Sequence, residues 1–153
     1  MSYHVNNVNC LLYIGAASAS SSADLPAYGS ETFTEVGMTG KIKLPIYERS
    51  VGRFNILNDD NRRAVSGKLG DQDCSGDIVL GVNDGEATHD TMFSDVATGN
   101  VYRNWRVVTP TGEIHEFKGF LSRWERDEYD ASADSQEIHA QFNIALDVKP
   151  TVT

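Results

Sequence analysis

Glu113, His115 and Glu116 are the densest group of side chains in this sequence that acid–base chemistry could use. General acid–base catalysis needs such groups aimed together at one reacting atom. In an extended segment, His115 is expected to face away from the two glutamates, so the group reads as a solvated cross-strand cluster. His89 has no second histidine or cysteine near it in sequence, which leaves a metal without a ligand set. Cys10 and Cys74 belong to no C-x-x-C or Cys/His spacing and read as free thiols, buried or half-buried. A nucleophile elbow and a phosphate-cradling glycine loop are both missing from their expected strand and helix context. The expectation is a chain with no catalytic residue, no metal and no cofactor.

What remains is charge. The net charge of −9 and the isoelectric point near 4.7 argue against tight nucleic-acid binding, which draws its affinity from Lys and Arg displacing counterions. The acid is unevenly placed. From Lys68 to Arg103 there is no intervening base, while Asp71, Asp73, Asp77, Asp84, Glu86, Asp90 and Asp95 fall between them. A second run, Glu125, Asp127, Glu128, Asp130, Asp134 and Glu137, is broken only by Arg126. The plain reading of either run is a solvated surface that aids solubility.

These residues must be held by something, and 153 residues with 40% apolar and 23% charged composition suit one soluble globular domain spanning 1–153. No apolar run approaches the roughly 18 residues that cross a bilayer, and the N-terminus lacks a basic segment before its short apolar run. Cytoplasmic synthesis without membrane insertion is expected.

Strand signals dominate. Residues 9–15 read as a short first strand, and the small-residue tract that follows reads as a mobile loop over 16–30. A weak, glycine-interrupted strand is expected over 32–44, and a long polar hairpin over about 47–71 with a turn at 58–61. Ile78, Leu80 and Val82 alternate with Asp77, Val79 and Gly81. Asn83 and Glu86 resemble a capping box, and His89, Met92, Phe93 and Val96 then follow helical spacing until Gly99, so a helix over roughly 84–97 is expected to bury that stripe.

The segment Val101 to Arg126 reads as a hairpin closed by Pro110-Thr111-Gly112, with apolar residues on both faces and hence cover on two sides. Ile138, Ala140, Phe142, Ile144, Leu146 and Val148 then alternate with Glu137, His139, Gln141, Asn143, Ala145 and Asp147, the strongest period-two pattern in the chain. Together these predict a mostly β fold: an antiparallel β-sandwich or open barrel flanked by one α-helix.

The order of the segments Cys10-Leu-Leu-Tyr-Ile-Gly15, Phe33-Thr-Glu-Val-Gly-Met38, Ser66 to Leu80, the helix, Thr111 to Phe120 and the final alternating strand resembles the major tail tube protein of lambda-like, long non-contractile phage tails. The resemblance implies a virion protein, assembled in the host cytoplasm, whose six-membered rings each contribute four strands per copy to an inner barrel. The rings stack into a hollow tube that conducts DNA. It further implies partners in a tape-measure protein, a tail terminator and tail-tip proteins, with only transient, non-specific passage of DNA. In such families the N-terminal loop and the middle hairpin make ring-to-ring contacts.

On that basis Arg49, Arg53, Arg62, Arg63 and Lys68 of the hairpin are candidate inter-ring residues. Asp77, Glu137, Gln141, Asn143 and Asp147 are candidate lumen-facing residues, on a polar face expected to be flat, lightly acidic and free of Lys or Arg. Two other readings stand beside this one. The first is the tube of a contractile particle or type VI secretion system. The second is a monomeric ligand-binding barrel with Trp105, Trp124 and Phe120 around a pocket.

Overall fold

The computed structural model describes residues 10–37, 39–55, 62–80 and 87–153. The elements in chain order are β1 (Leu11–Ala19), β2 (Phe33–Glu35), β3 (Thr39–Lys43), β4 (Arg49–Phe54), β5 (Arg63–Leu69), β6 (Asp73–Leu80), α1 (Ala87–Thr98), β7 (Tyr102–Val108), β8 (Ile114–Arg126), β9 (Ile138–Leu146) and β10 (Thr151–Val152). All strand pairs are antiparallel. The main sheet has eight strands in the order β2-β1-β7-β8-β9-β6-β3, with β10 added on β8, and β4-β5 forms a separate two-stranded sheet. The fold is the expected mostly β architecture with one helix.

β8 organises the sheet. Its first half, Ile114 to Phe120, pairs with β7, and its second half, Gly119 to Arg126, pairs with β9, with a register shift between Leu121 and Arg123. A bulge leaves one residue unpaired and bends its strand. The sheet therefore divides at β8 into one half made of β2, β1, β7 and the start of β8, and a second made of the end of β8, β9, β6 and β3. β1 and β3, from opposite ends of the order, approach one another.

The core lies between these halves and under α1. Leu12, Ile14, Trp105, Val107 and Phe117 come from the first half, Cys74, Ile78, Leu121, Phe142 and Ile144 from the second, and Met92 from the helix. Cys10 is half-buried, Cys74 is buried, and both are free thiols, as their spacing predicted. Burial, with Cys10 nearby, pushes the Cys74 thiol up to about 12.

Turn chemistry places the β7–β8 hairpin. The N–H of Gly112 donates to the Thr109 carbonyl at 3.0 Å, closing a turn with Pro110 at its second position. Gly112 itself takes φ 93°, which an L side chain rarely adopts. Gly99, at φ 75°, ends α1 by donating to the Asp95 carbonyl at 3.0 Å.

Several elements depart from the sequence reading. β1 runs on through the small residues to Ala19, so the loop expected from Ala16 starts later. Small residues are needed there: a Cβ on Gly15 would stand 2.9 Å from the Asn104 carbonyl oxygen, and the Arg103 guanidinium donates to the carbonyls of Gly15 and Ala16. In α1 the buried residues are Thr88, His89, Met92 and Asp95, while Phe93 is 51% exposed. Asp95 turns inward because Arg103 Nε meets its carboxylate at 2.6 Å, and this rotates the buried stripe away from Phe93. Val148 lies beyond the end of β9 and is exposed instead of continuing the buried face. Val82, Asn83, Glu86 and the 58–61 turn lie outside the described residues.

The two-sided cover expected for β7–β8 is present. Between β1 and β2 the chain makes short 3-10 turns at Ser22–Asp24 and Tyr28–Ser30 and returns across the sheet. Glu31 accepts from the N–H groups of Ala16 and Ala17, and also from Asn104 Nδ2 at 2.7 Å. Lys118 lies over the Tyr28 ring at 5.5 Å and Arg106 over the Phe33 ring at 4.2 Å.

Candidate functional site

The segment between β1 and β2 covers the sheet over β7 and the start of β8, but the second half-sheet carries a polar face. Directly opposed residues on neighbouring strands share a face. The register therefore builds two rows, Lys41–Asp77–Gln141–Glu125 and Lys43–Ser75–Asn143–Arg123. All of them but Glu125 line an open depression of about 690 Å³.

Asp77 stands at its centre. One carboxylate oxygen meets His139 Nδ1 at 3.0 Å. The other is buried without a hydrogen-bond partner among the described residues. A Cβ on Gly40 would come 2.7 Å from that oxygen, so a larger residue at 40 would require the Asp77 carboxylate to move. His139 Nε2 meets Glu137 at 2.7 Å, and its backbone N–H donates to Asp127 at 3.0 Å. The hydrogen bond to Asp77, assisted by the one to Glu137, holds the His139 pKa above its ordinary value.

Of the five candidate lumen residues, the structure brings Asp77, Gln141 and Asn143 onto one face and links Glu137 to them through His139. Asp147 lies elsewhere: its carboxylate accepts from the Ser22 hydroxyl and its N–H donates to the Lys118 carbonyl, so it fastens the covering segment. Sequence reasoning missed the cations of this face. Lys41 and Lys43 come from the edge strand β3, and the bulge at Ser122 sets Arg123 opposite Asn143, where Arg123 pairs with Glu125. The alternation Lys41-x-Lys43 was the available signal for two of them.

The Glu113, His115 and Glu116 cluster also divides, although not as expected. His115 approaches Glu113 at 3.8 Å, because residues two apart share a strand face, while Glu116 on the opposite face pairs with Arg106 at 2.9 Å. The aromatic pocket does not assemble. Trp105 is buried in the core and donates to the Gly119 carbonyl. Phe120 lies on the other face of the β7–β8 pair, edge-to-face with Tyr102 at 5.3 Å.

The hairpin is a second surface. Every residue of β4 is exposed. By register, Arg53 shares a face with Ala64, and Arg63 shares the opposite face with Phe54. Arg49 folds back onto the Gly67 carbonyl at 3.3 Å. Arg62 and Lys68 are exposed. The five bases are thus spread over both faces, among the exposed Val51, Phe54 and Val65.

Solved structures share this fold. A chain in the structure of the PVC sheath/tube terminator, from an extracellular contractile injection system in its extended state, superposes with TM-score 0.70 at 7% identity over 100% of this chain and 99% of that one. A chain of the tail of an empty GTA particle, resolved with C6 symmetry, gives 0.64 at 14% identity over 98% and 99%. The fold is a tail-tube fold. The SPP1 tail tube gives 0.59 at 5% identity over 94% of this chain and 76% of that one, so the fold spans a contractile injection system, a GTA tail and a phage tail tube. No family model and no curated protein matches the sequence. Among the described residues, no helix is long and apolar enough to cross a membrane, and no group of three or more His, Cys, Asp or Glu is placed to hold a metal ion.

Proposed function

We propose that residues 1–153 form one tail-tube domain, the structural subunit of a long, non-contractile phage tail. Six copies close into a ring and the rings stack into a hollow tube through which DNA leaves the capsid. The observation that carries this reading is the second half-sheet: four strands, a polar face and, among the described residues, two edges without a strand partner. β3 ends the strand order, and beyond the Tyr102–Phe120 pair the β7 side of β8 is unpaired among the described residues. Unpaired edges template association, and ring closure removes them as a barrel does. Lys41 and Lys43 stand on one edge and the Arg123–Glu125 pair on the other, so Glu125 is the acid that the join could share between them.

In this reading the face of Asp77, Gln141 and Asn143 lines the lumen, with Glu137 at its border. A conduit must hold its cargo weakly. Lys41, Lys43 and Arg123 would attract phosphates, and Asp77, Glu125 and Glu137 beside them oppose that attraction. A tape-measure protein, a terminator and tail-tip proteins are the expected partners, and the subunit carries structure instead of catalysis. Negative-stain microscopy of concentrated protein tests the proposal: hollow tubes with sixfold end views support it, and persistent monomers even with tail-tip seeds overturn it. PVC and AFP neighbours favour a second reading, the tube of a contractile particle, and a sheath around the tube in native particles would decide for it.

A further inference from the structure

The β4–β5 hairpin lies apart from the main sheet, and among its described residues none is buried. Val51, Phe54 and Val65 are 56%, 48% and 52% exposed on a two-stranded sheet, and an isolated pair of strands in water is marginal at best. From 48 to 70 the sequence carries Arg49, Arg53, Arg62, Arg63 and Lys68 against the acids Glu48, Asp59 and Asp60, a net positive charge in an acidic chain.

At the far end of the second half-sheet lies a surface of opposite character. The loop between β8 and β9 holds Asp127, Glu128, Asp130, Asp134 and Glu137, with no Lys or Arg from 127 to 137. It is ordered by its own hydrogen bonds. Asp130 accepts from the N–H and hydroxyl of Ser132 at 2.9 and 2.6 Å, while Gln136 ties Asp130 N–H and the Glu128 carbonyl together at 3.0 and 2.6 Å. Tyr129 projects from it, 72% exposed. Tyrosine and arginine are the residue types that dominate binding energy at interfaces, and a guanidinium over a phenol ring adds a cation–π contact.

The register fixes where these surfaces stand. The hairpin is closed at its root by Gly70 N–H donating to the Glu48 carbonyl at 2.7 Å, just before β6 begins opposite Ala145. β6 ends at Leu80 opposite Ile138, beside the acidic loop. Seven residue steps of strand, about 23 Å, separate the two ends.

We propose that the hairpin of one copy docks head to tail on the acidic 127–137 loop of a second copy, its arginines around Tyr129 and the loop carboxylates. The proposal rests on the tube reading and adds which surface of the next ring receives the hairpin. A contact between different surfaces at opposite ends of a subunit does not close on itself, so it continues as an open stack. The preordered loop lowers the entropic cost of docking.

Charge reversal tests it, read by sedimentation velocity and negative stain at low salt. Glu128→Lys with Asp134→Lys, and separately Arg53→Glu with Arg62→Glu, are expected to raise the protein concentration needed for tubes at least tenfold with melting temperatures unchanged. The variant carrying all four changes is expected to recover much of the wild-type assembly, because the reversed surfaces again match. Tubes from the loop-reversed variant at the wild-type concentration would overturn the docking proposal and leave the tube reading intact. So would a four-change variant no better than either pair alone. A wild-type protein that forms no stack at any concentration would overturn both.

Discussion

The second half-sheet and the β4–β5 hairpin are both antiparallel, of similar strand length, and held by quite different forces. In β9, Ala140, Phe142 and Ile144 are buried against Leu121, Cys74 and Ile78, so that face is fixed by apolar burial and the polar face inherits its geometry. In β4 no residue is buried at all, and the strand is shaped by its backbone ladder with β5. A strand is therefore no evidence of a core. The half-sheet has one face fixed by the core, while the hairpin has both faces exposed and takes its shape from the ladder between its two strands.

The largest expected effect lies on the core side of this contrast. Phe142→Ala removes a ring that packs over Gly76, and should cost about 3–5 kcal/mol of unfolding free energy in a urea titration. Slightly smaller is the effect of Arg103→Met, which leaves the Asp95 carboxylate buried without its counter-charge and should cost about 3 kcal/mol in the same titration. A milder effect belongs to the polar face. The His139 pKa is raised in the fold above its unfolded value of 6.5, so its contribution is fully present below that pH and is lost as pH rises through the folded value. Melting temperature should fall across that window, and His139→Gln should flatten this part of the profile.

The smallest effect on the subunit should come from the hairpin. Phe54→Ala with Val65→Ala should change monomer stability by about 0.5 kcal/mol or less, since exposed side chains lose little on truncation. The same variant should assemble poorly, whereas Phe142→Ala should show its loss in the monomer. A large fall in monomer stability for the hairpin variant would erase the contrast between the two regions.

The parts of this fold legible in the sequence are those decided by neighbours a few residues away. The alternation from Ile138 to Leu146, the turn at Thr109 to Gly112 and the stop at Gly99 were all readable because pattern and turn residue act locally. Three features were not. Phe93 lost its expected place to Asp95 because Arg103, from a different element, pulls the carboxylate inward. Arg123 reached the polar face through a bulge that leaves no mark in the hydrophobic pattern. Asp147 continues the period of β9 in sequence but is spent on Ser22, far away along the chain. The candidate site was half legible for the same reason. Asp77, Gln141 and Asn143 follow from strand parity, while Lys41 and Lys43 join them only through pairing between β3 and β6.

The pairing of Leu11 with Val108 also has a meaning for synthesis. At roughly 5–20 residues per second, a ribosome needs about 5–20 s to make β7 after β1 has been translated. Through that interval the segment Leu11-Leu-Tyr-Ile14 has only the three-residue β2 to pair with. Its apolar stretch is short and runs directly into Gly15 and the Ala/Ser tract, which limits how far a wrong β-pairing between two unfinished copies could spread. Gly15, which leaves room for the Asn104 carbonyl in the folded subunit, and the Ala/Ser tract after it are thus also poor at extending such a pairing.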